Sequence, residues 1–175
     1  MKDKFILFVA QGFGVGRIPF APGTFGSVVG LGWFALLLAT GNVWLFALGT
    51  ILGFAASVWF CGRAEKILGK TDPGSVVLDE IAAMPVCFLG WILFTQPMIG
   101  ALPEPVYFFS DGGVAMTLIV FGLFRFFDVV KPGVIRRSQK LPGGWGVTVD
   151  DLLAAIWVSA VSFLLFEGLA CLART

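Results

Sequence analysis

The sequence predicts an all-α protein, a polytopic membrane bundle of about five transmembrane helices with a Gly/Pro-rich N-terminal cytoplasmic loop. Of the 175 residues, 58% are hydrophobic and only 13% are charged, and the mean hydropathy is +0.93. A soluble domain of this size has far fewer apolar residues. Uncharged stretches are also long, and residues 18–62 contain no Asp, Glu, Lys or Arg. The length accommodates a single membrane domain, residues 1–175.

Five apolar stretches give the predicted spans. The polar break Thr40-Gly41-Asn42 divides the longest uncharged stretch in two, and each half approaches the roughly 20 residues that cross a bilayer. Three more apolar stretches follow, of which the fourth span is the shortest because Arg125 interrupts its end. After an N-terminal segment and Gly-rich loop at 1–23, the predicted spans are residues 24–40, 43–61, 81–102, 112–127 and 152–172.

The basic residues predict the orientation of these spans. Lys and Arg concentrate before the first span, before the third, and between the fourth and fifth, whereas the loops at 40–42 and 103–111 contain neither. The positive-inside rule then places the N-terminus in the cytoplasm and Thr175 outside. Three segments rich in Gly, Pro and charge therefore share the cytoplasmic side.

Composition excludes several functions. A net charge of +1 removes the electrostatic case for a nucleic-acid partner. The chain has no histidine, which excludes a phosphohistidine, a catalytic imidazole and a histidine metal ligand. Its three cysteines form no C-x-x-C or other ligand spacing, so we expect buried free thiols.

The first cytoplasmic segment, residues 11–27, contains five glycines and two prolines and leads directly into a predicted helix. Such a loop presents backbone N–H groups and a helix N-terminus to a phosphate. Arg17, Thr24 and Ser27 are its candidate phosphate ligands. The alternative is structural: the glycines permit close helix packing and Thr24 caps a span.

The second segment carries two acids beside a predicted span. Asp72 followed by Pro73 is typical of an N-cap and first helical position, which would place Asp79 and Glu80 about two turns inside the helix. An acid at the centre of a membrane helix costs roughly 2.5–3.5 kcal/mol and usually faces a partner, a cavity or a cation. The alternative, stabilisation by the helix N-terminus, suits residues of the first turn better.

The third segment contains the densest charge. Arg125, Asp128 and Lys131 are spaced i, i+3, i+6, so a helix that continues to Pro132 places them along one edge. A simple ion pair at a helix end is the alternative. Asp150 and Asp151 precede the last predicted span, where they also fit a plain N-cap pair.

The predicted topology brings these charges to one membrane face. Close carboxylates repel unless a cation or a proton holds them together. All-oxygen ligands favour a hard ion, so acids and cations beside a Gly-rich loop indicate Mg²⁺ and a phosphate. The candidate Mg²⁺ ligands are Asp79, Glu80, Asp128, Asp150 and Asp151. Because the chain has no histidine for a phosphohistidine mechanism, metal-assisted hydrolysis or transfer is the phosphate chemistry that these residues favour.

Together the motifs resemble the phosphatidylglycerophosphatase A family. The motifs, in family order, are GFGVG-R at 12–17, APGTFGS at 21–27, DPGSVVLDE at 72–80, FRFFDVVKPGVIR at 124–136 and GGWGVTVDD at 143–151. The resemblance implies a bacterial inner-membrane, Mg²⁺-dependent phosphatase that removes the terminal phosphate of phosphatidylglycerophosphate. It departs from the usual family pattern at Gly133, Val134, Gln139 and Pro142.

From the pattern and the resemblance we assign expected roles. Catalysis is expected from Asp79, Glu80, Asp128 and Asp150, and substrate binding from Arg17, Thr24, Ser27, Arg125, Lys131 and Arg136. The expected partner is a phospholipid in the bilayer, and the oligomeric state is not predicted. The alternative function is a small ion or solute transporter that uses membrane carboxylates, but the acids cluster at one end of the spans.

Overall fold

A computed structural model describes residues 1–172, and every regular element in that range is helical, as the sequence predicts. Thr175, with its predicted outside location, lies beyond the described residues. A 3₁₀ segment, Gly12–Arg17, lies between the first and the second α-helix. The helices are α1 (Lys2–Ala10), α2 (Pro22–Leu38), α3 (Val43–Leu68), α4 (Leu78–Cys87), α5 (Leu89–Ile99), α6 (Pro105–Phe109), α7 (Asp111–Val130), α8 (Val134–Ser138) and α9 (Gly144–Leu172).

Within the described residues, four helical stretches are long and apolar enough to cross a membrane. They are α3, the consecutive pair α4–α5 (Leu78–Ile99), α7 and α9. Helix α2 is a shorter apolar helix of 17 residues, so the total agrees with about five spans. Helices α3 and α9 extend beyond their predicted apolar spans, α3 to Leu68 and α9 from Gly144.

The stretch α4–α5 forms the centre of the bundle. Most of it is buried, whereas only a small part of the most apolar stretches of α3 and α9 is buried. Glycines allow α2 to pack closely on α4: a Cβ on Gly30 would lie 2.8 Å from the Cβ of Met84, and one on Gly26 would lie 2.7 Å from that of Val77. The N-terminus of α2 is thereby held against the start of α4.

Aromatic residues fill the core next to α4–α5. The ring of Phe34 stacks on Phe88 with centroids 4.2 Å apart and meets Phe108 edge-on at 5.1 Å, arrangements that aromatic pairs prefer. All three side chains are fully buried. Helix α4 ends beside this cluster, where Pro85 removes one backbone donor and the chain turns into α5.

The start of α4 differs from the prediction. Helix α4 begins at Leu78, so Asp72 is not its N-cap and Asp79 and Glu80 lie in the first turn. The residues just before α4 are fixed outside the helix because Val77 is buried and its N–H donates to the carbonyl of Ala10 at 3.0 Å. The tertiary contact with α1 therefore outweighs the local helix-start signal.

Helix α9 begins earlier than the sequence predicts, whereas α4 begins later. Asp150 and Asp151 lie six and seven residues after Gly144, the first residue of the helix. They are therefore not the N-cap pair that the sequence left as an alternative. A position about two turns inside a helix leaves their carboxylates without free backbone donors of the first turn, so another feature must account for these buried acids.

Candidate active site

Three carboxylates converge at one end of the bundle. One oxygen each from Asp79, Glu80 and Asp151 lies within 4.8 Å of the other two. Asp79 and Asp151 are only 5% and 3% exposed. Asp79 Oδ1, Glu80 Oε2 and Asp151 Oδ2 are buried and accept no hydrogen bond from residues 1–172. We call these three residues the carboxylate triad.

Two helices and a close backbone approach position the triad. Asp79 and Glu80 lie in the first turn of α4, where free backbone N–H groups favour acids. Asp151 comes from α9, which packs extensively on α4. Gly23, at the start of α2, lies against Glu80, because a Cβ there would be 2.3 Å from Glu80 Oε1. A larger residue at Gly23 would displace that carboxylate.

Arg125 connects α7 to the triad. Its Nη1 lies 2.8 Å from Asp128 Oδ2 and 3.8 Å from Glu80 Oε1, and it donates to Ser27 Oγ at 3.4 Å. The hydroxyl of Ser27 in turn donates to the carbonyl of Gly23 at 2.8 Å. The i, i+3 ion pair expected from the sequence is present, but the guanidinium also joins three helices.

Lys131 extends this network to α9. Its Nζ lies 3.7 Å from Asp128 Oδ1 and forms a short ion pair with Asp150 Oδ2. Lys131 has φ +46° and ends α7. Burial alone would lower the pKa of Lys131, but the hydrogen bond to Asp150 and the charges of the nearby aspartates raise it above its ordinary value. The ammonium therefore stays protonated at neutral pH.

The charges of the site do not balance. Five carboxylates lie together at this end of the bundle: Asp79, Glu80, Asp128, Asp150 and Asp151. Arg125 and Lys131 are the two cations paired with them among the described residues, which leaves a formal charge of 2 − 5 = −3. Buried like charges are costly unless cations or protons compensate them. The unpartnered, all-oxygen triad fits a hard divalent cation.

The other predicted site residues divide into two groups. Ser27, Arg125, Lys131, Asp128 and Asp150 all belong to the network around the triad. Arg17 lies apart, where its Nε donates to Gln11 Oε1 at 2.9 Å. Arg136 is exposed and makes no ion pair with residues 1–172. Thr24 is half-buried in the first turn of α2.

Two polar contacts around the site were not predicted. The buried hydroxyls of Ser57 and Thr148 form a hydrogen bond of 2.9 Å between α3 and α9, just before Asp150. Small hydroxyl residues in apolar stretches are typical of helix–helix contacts in membranes, so their sequence context carried the signal. Gln11 is buried, and its Nε2 donates to Ser75 Oγ at 3.4 Å, which connects the Gly-rich segment to the loop before α4.

Comparison with known proteins connects this site to a family. The family model described as phosphatidylglycerophosphatase A matches residues 8–166. A phosphatidylglycerophosphatase A of Haemophilus influenzae is 36% identical over 159 residues, which are 90% of this chain and 86% of the relative. Its counterpart in Escherichia coli is 31% identical over 159 residues, with 90% and 81% covered.

A third relative has a different name. A putative phosphatidylinositol-3-phosphatase of Bacteroides thetaiotaomicron is 34% identical over 155 residues, which are 86% of this chain and 87% of the relative. No solved structure matches the chain. The family match covers the Gly-rich segment, the triad and both cations of the network. The chain belongs to the phosphatidylglycerophosphatase A family, a family of phosphatases that act on a phosphate monoester.

Proposed function

We propose that the protein hydrolyses phosphatidylglycerophosphate to phosphatidylglycerol and phosphate, in an Mg²⁺-dependent reaction of phospholipid biosynthesis. One observation carries the proposal: the triad holds three buried carboxylate oxygens that no described residue satisfies, directly beside two cations. Carboxylate oxygens are the ligands that Mg²⁺ prefers, and cations stabilise phosphate oxygens. Family membership supports the same reaction.

Asp79, Glu80 and Asp151 would hold the metal, since their oxygens converge and lack other partners. When bound, Mg²⁺ supplies charge neutralisation at the phosphate and lowers the pKa of a coordinated water. Asp128 and Asp150 are engaged by Arg125 and Lys131. We therefore propose that these two aspartates orient the cations, a positioning role in place of the metal ligation and direct catalysis expected from the sequence.

The phosphate would bind between the triad and the two cations. Both ion pairs of Arg125 use Nη1, so its Nε and Nη2 N–H groups are directed to phosphate oxygens in the proposed complex. Lys131 remains protonated beside Asp150 and adds a second positive charge. Thr24 and Ser27 would contribute hydroxyls from the start of α2, while Arg17 and Arg136 would attract the anionic headgroup from their exposed positions. The lipid tails would remain in the bilayer.

Headgroup selectivity is the direct test of the proposed substrate. We expect the detergent-purified protein to release phosphate from phosphatidylglycerophosphate faster than from phosphatidylinositol 3-phosphate, which the name of the Bacteroides relative makes the natural competitor. Release in detergent, where no gradient exists, also separates a phosphatase from the transporter alternative. Faster release from the inositol lipid would contradict the proposed substrate, and no release from folded protein would favour the transporter.

We also propose that the site faces the cytoplasm of a bacterial inner membrane. The positive-inside pattern supports this orientation, with the end of α9 on the opposite side. The expectation of three buried thiols is correct for Cys61 and Cys87 and wrong for Cys171, which is exposed near that end. A membrane-impermeant maleimide added to spheroplasts should therefore label the protein, and Cys171→Ser should remove the labelling. Labelling only after the membrane is permeabilised would contradict this orientation.

A further inference from the structure

A groove lies between α3 and the start of α9, on the surface of the bundle and outside the triad. It has a volume of about 460 Å³, and its lining includes Trp59, Gly62, Arg63 and Lys66 from α3 together with residues 142–145. Gly62 and Gly144 bring the two backbones together, because a Cβ on Gly62 would lie 2.7 Å from the backbone nitrogen of Gly144. We call it the Trp–Arg groove.

The groove sits where the lipid-facing surface of α3 ends. Leu48, Ile51 and Leu52 are each more than half exposed and form an apolar surface on the outside of the bundle, which suits the acyl chains of a bilayer. This surface continues to Trp59, and the next positions toward the helix end carry Arg63 and Lys66. Trp145 is also half exposed at the other side of the groove. Exposed tryptophans beside cations are typical of the headgroup level of a bilayer.

The cations of the groove are available to an anionic ligand. Arg63 and Lys66 are exposed and form no ion pair with residues 1–172. The guanidinium carbon of Arg63 lies 5.7 Å from the ring centroid of Trp59, a cation–π distance that holds the charge at the groove. Glu65, the acid between them, accepts a hydrogen bond from the backbone of Asp72 at 2.8 Å and is therefore directed to the neighbouring loop.

We propose that the Trp–Arg groove binds the headgroup of an anionic phospholipid, separately from the triad. The phosphodiester is held by Arg63 and Lys66, the tryptophans flank the glycerol region, and the acyl chains run along the exposed apolar face of α3. Gly144 precedes Asp150 by six residues of one helix, about 9 Å along its axis. The groove is thus a second lipid site beside the site of hydrolysis, and it does not depend on the proposed function.

Lipid binding by the purified full-length protein tests this inference. In native mass spectrometry, we expect phosphatidylserine to bind more tightly than phosphatidylcholine, because both contain a phosphodiester but only phosphatidylserine is anionic. Each cation near a membrane surface contributes about fivefold to anionic-lipid affinity. Arg63→Gln with Lys66→Gln should therefore weaken phosphatidylserine binding about 25-fold. Phosphatidylcholine binding should weaken by less, because the choline cation offsets the charge of its phosphodiester.

The control is Lys4→Gln with Arg137→Gln, which removes the same charge at exposed positions that do not line the groove. It should retain phosphatidylserine binding to within about twofold. Equal losses in the two double variants, or unchanged binding in the groove variant, would overturn the proposal, as would equal affinity of the wild type for both lipids.

Phosphate release in micelles free of anionic phospholipid other than the substrate should be the same in the groove variant and the wild type. Loss of release with intact binding would instead assign the cations to the substrate path.

Discussion

Replacing Asp151 with asparagine should abolish phosphate release and leave the fold intact. Asp151→Asn removes one of three unpartnered buried oxygens and one negative charge from a site with an excess of three. Metal-ion charge stabilisation is worth several kcal/mol in a transition state, so the rate should fall by about 10³ or more. Relief of repulsion among the carboxylates should keep the melting temperature at the wild-type value or raise it.

Glu167→Gln is the matched control for this variant. It removes the same charge from the same helix, but Glu167 is exposed and lies far along α9 from the triad. The control should retain wild-type activity, measured as phosphate release in the same micelles. If Asp151→Asn keeps more than about half of the wild-type rate while its metal content falls, the triad does not serve the reaction.

Gly23→Ala should impair activity much more than stability. The added Cβ would lie 2.3 Å from Glu80 Oε1 and 3.1 Å from Arg125 Nη2. These atoms end flexible side chains, so they can move aside at small cost to folding, but the move displaces a triad carboxylate. A displacement of about 1 Å in an active site can cost about 10²-fold in rate, and we expect a loss of that order in kcat.

Gly32→Ala is the corresponding control, because it adds the same methyl group to the same helix with no atom within 4 Å. It should leave kcat unchanged and keep the melting temperature at the wild-type value or raise it slightly, because Ala favours a helix more than Gly does. Phosphate release and thermal unfolding of both variants, measured side by side, check the prediction. An active Gly23→Ala protein would show that Glu80 does not need its observed position.

The sequence predicted the architecture because membrane spans depend on local composition. Uncharged stretches and polar breaks locate the helices without knowledge of their packing. Helix ends were less predictable. Asp72-Pro73 carries a strong helix-start pattern, yet α4 begins at Leu78, since burial of Val77 and its bond to Ala10 come from residues distant in sequence.

The site was predictable as a set of residues and not as an arrangement. Charge beside the ends of the predicted spans pointed to Asp79, Asp128 and Asp151, and the positive-inside pattern predicted that they share one face. The division between an unpartnered triad and carboxylates engaged by Arg125 and Lys131 depends on how α4, α7 and α9 pack. Such tertiary geometry leaves no signature in residue spacing.

In the proposed function, the carboxylate triad serves an Mg²⁺-dependent hydrolysis of phosphatidylglycerophosphate. The most direct measurement is phosphate release from this lipid by the purified protein, with Mg²⁺ and with excess EDTA, beside Asp79→Asn. We predict release with Mg²⁺, none with EDTA, recovery when Mg²⁺ is restored, and none from the variant under either condition. Undiminished release in EDTA, or from Asp79→Asn, would contradict this role of the triad.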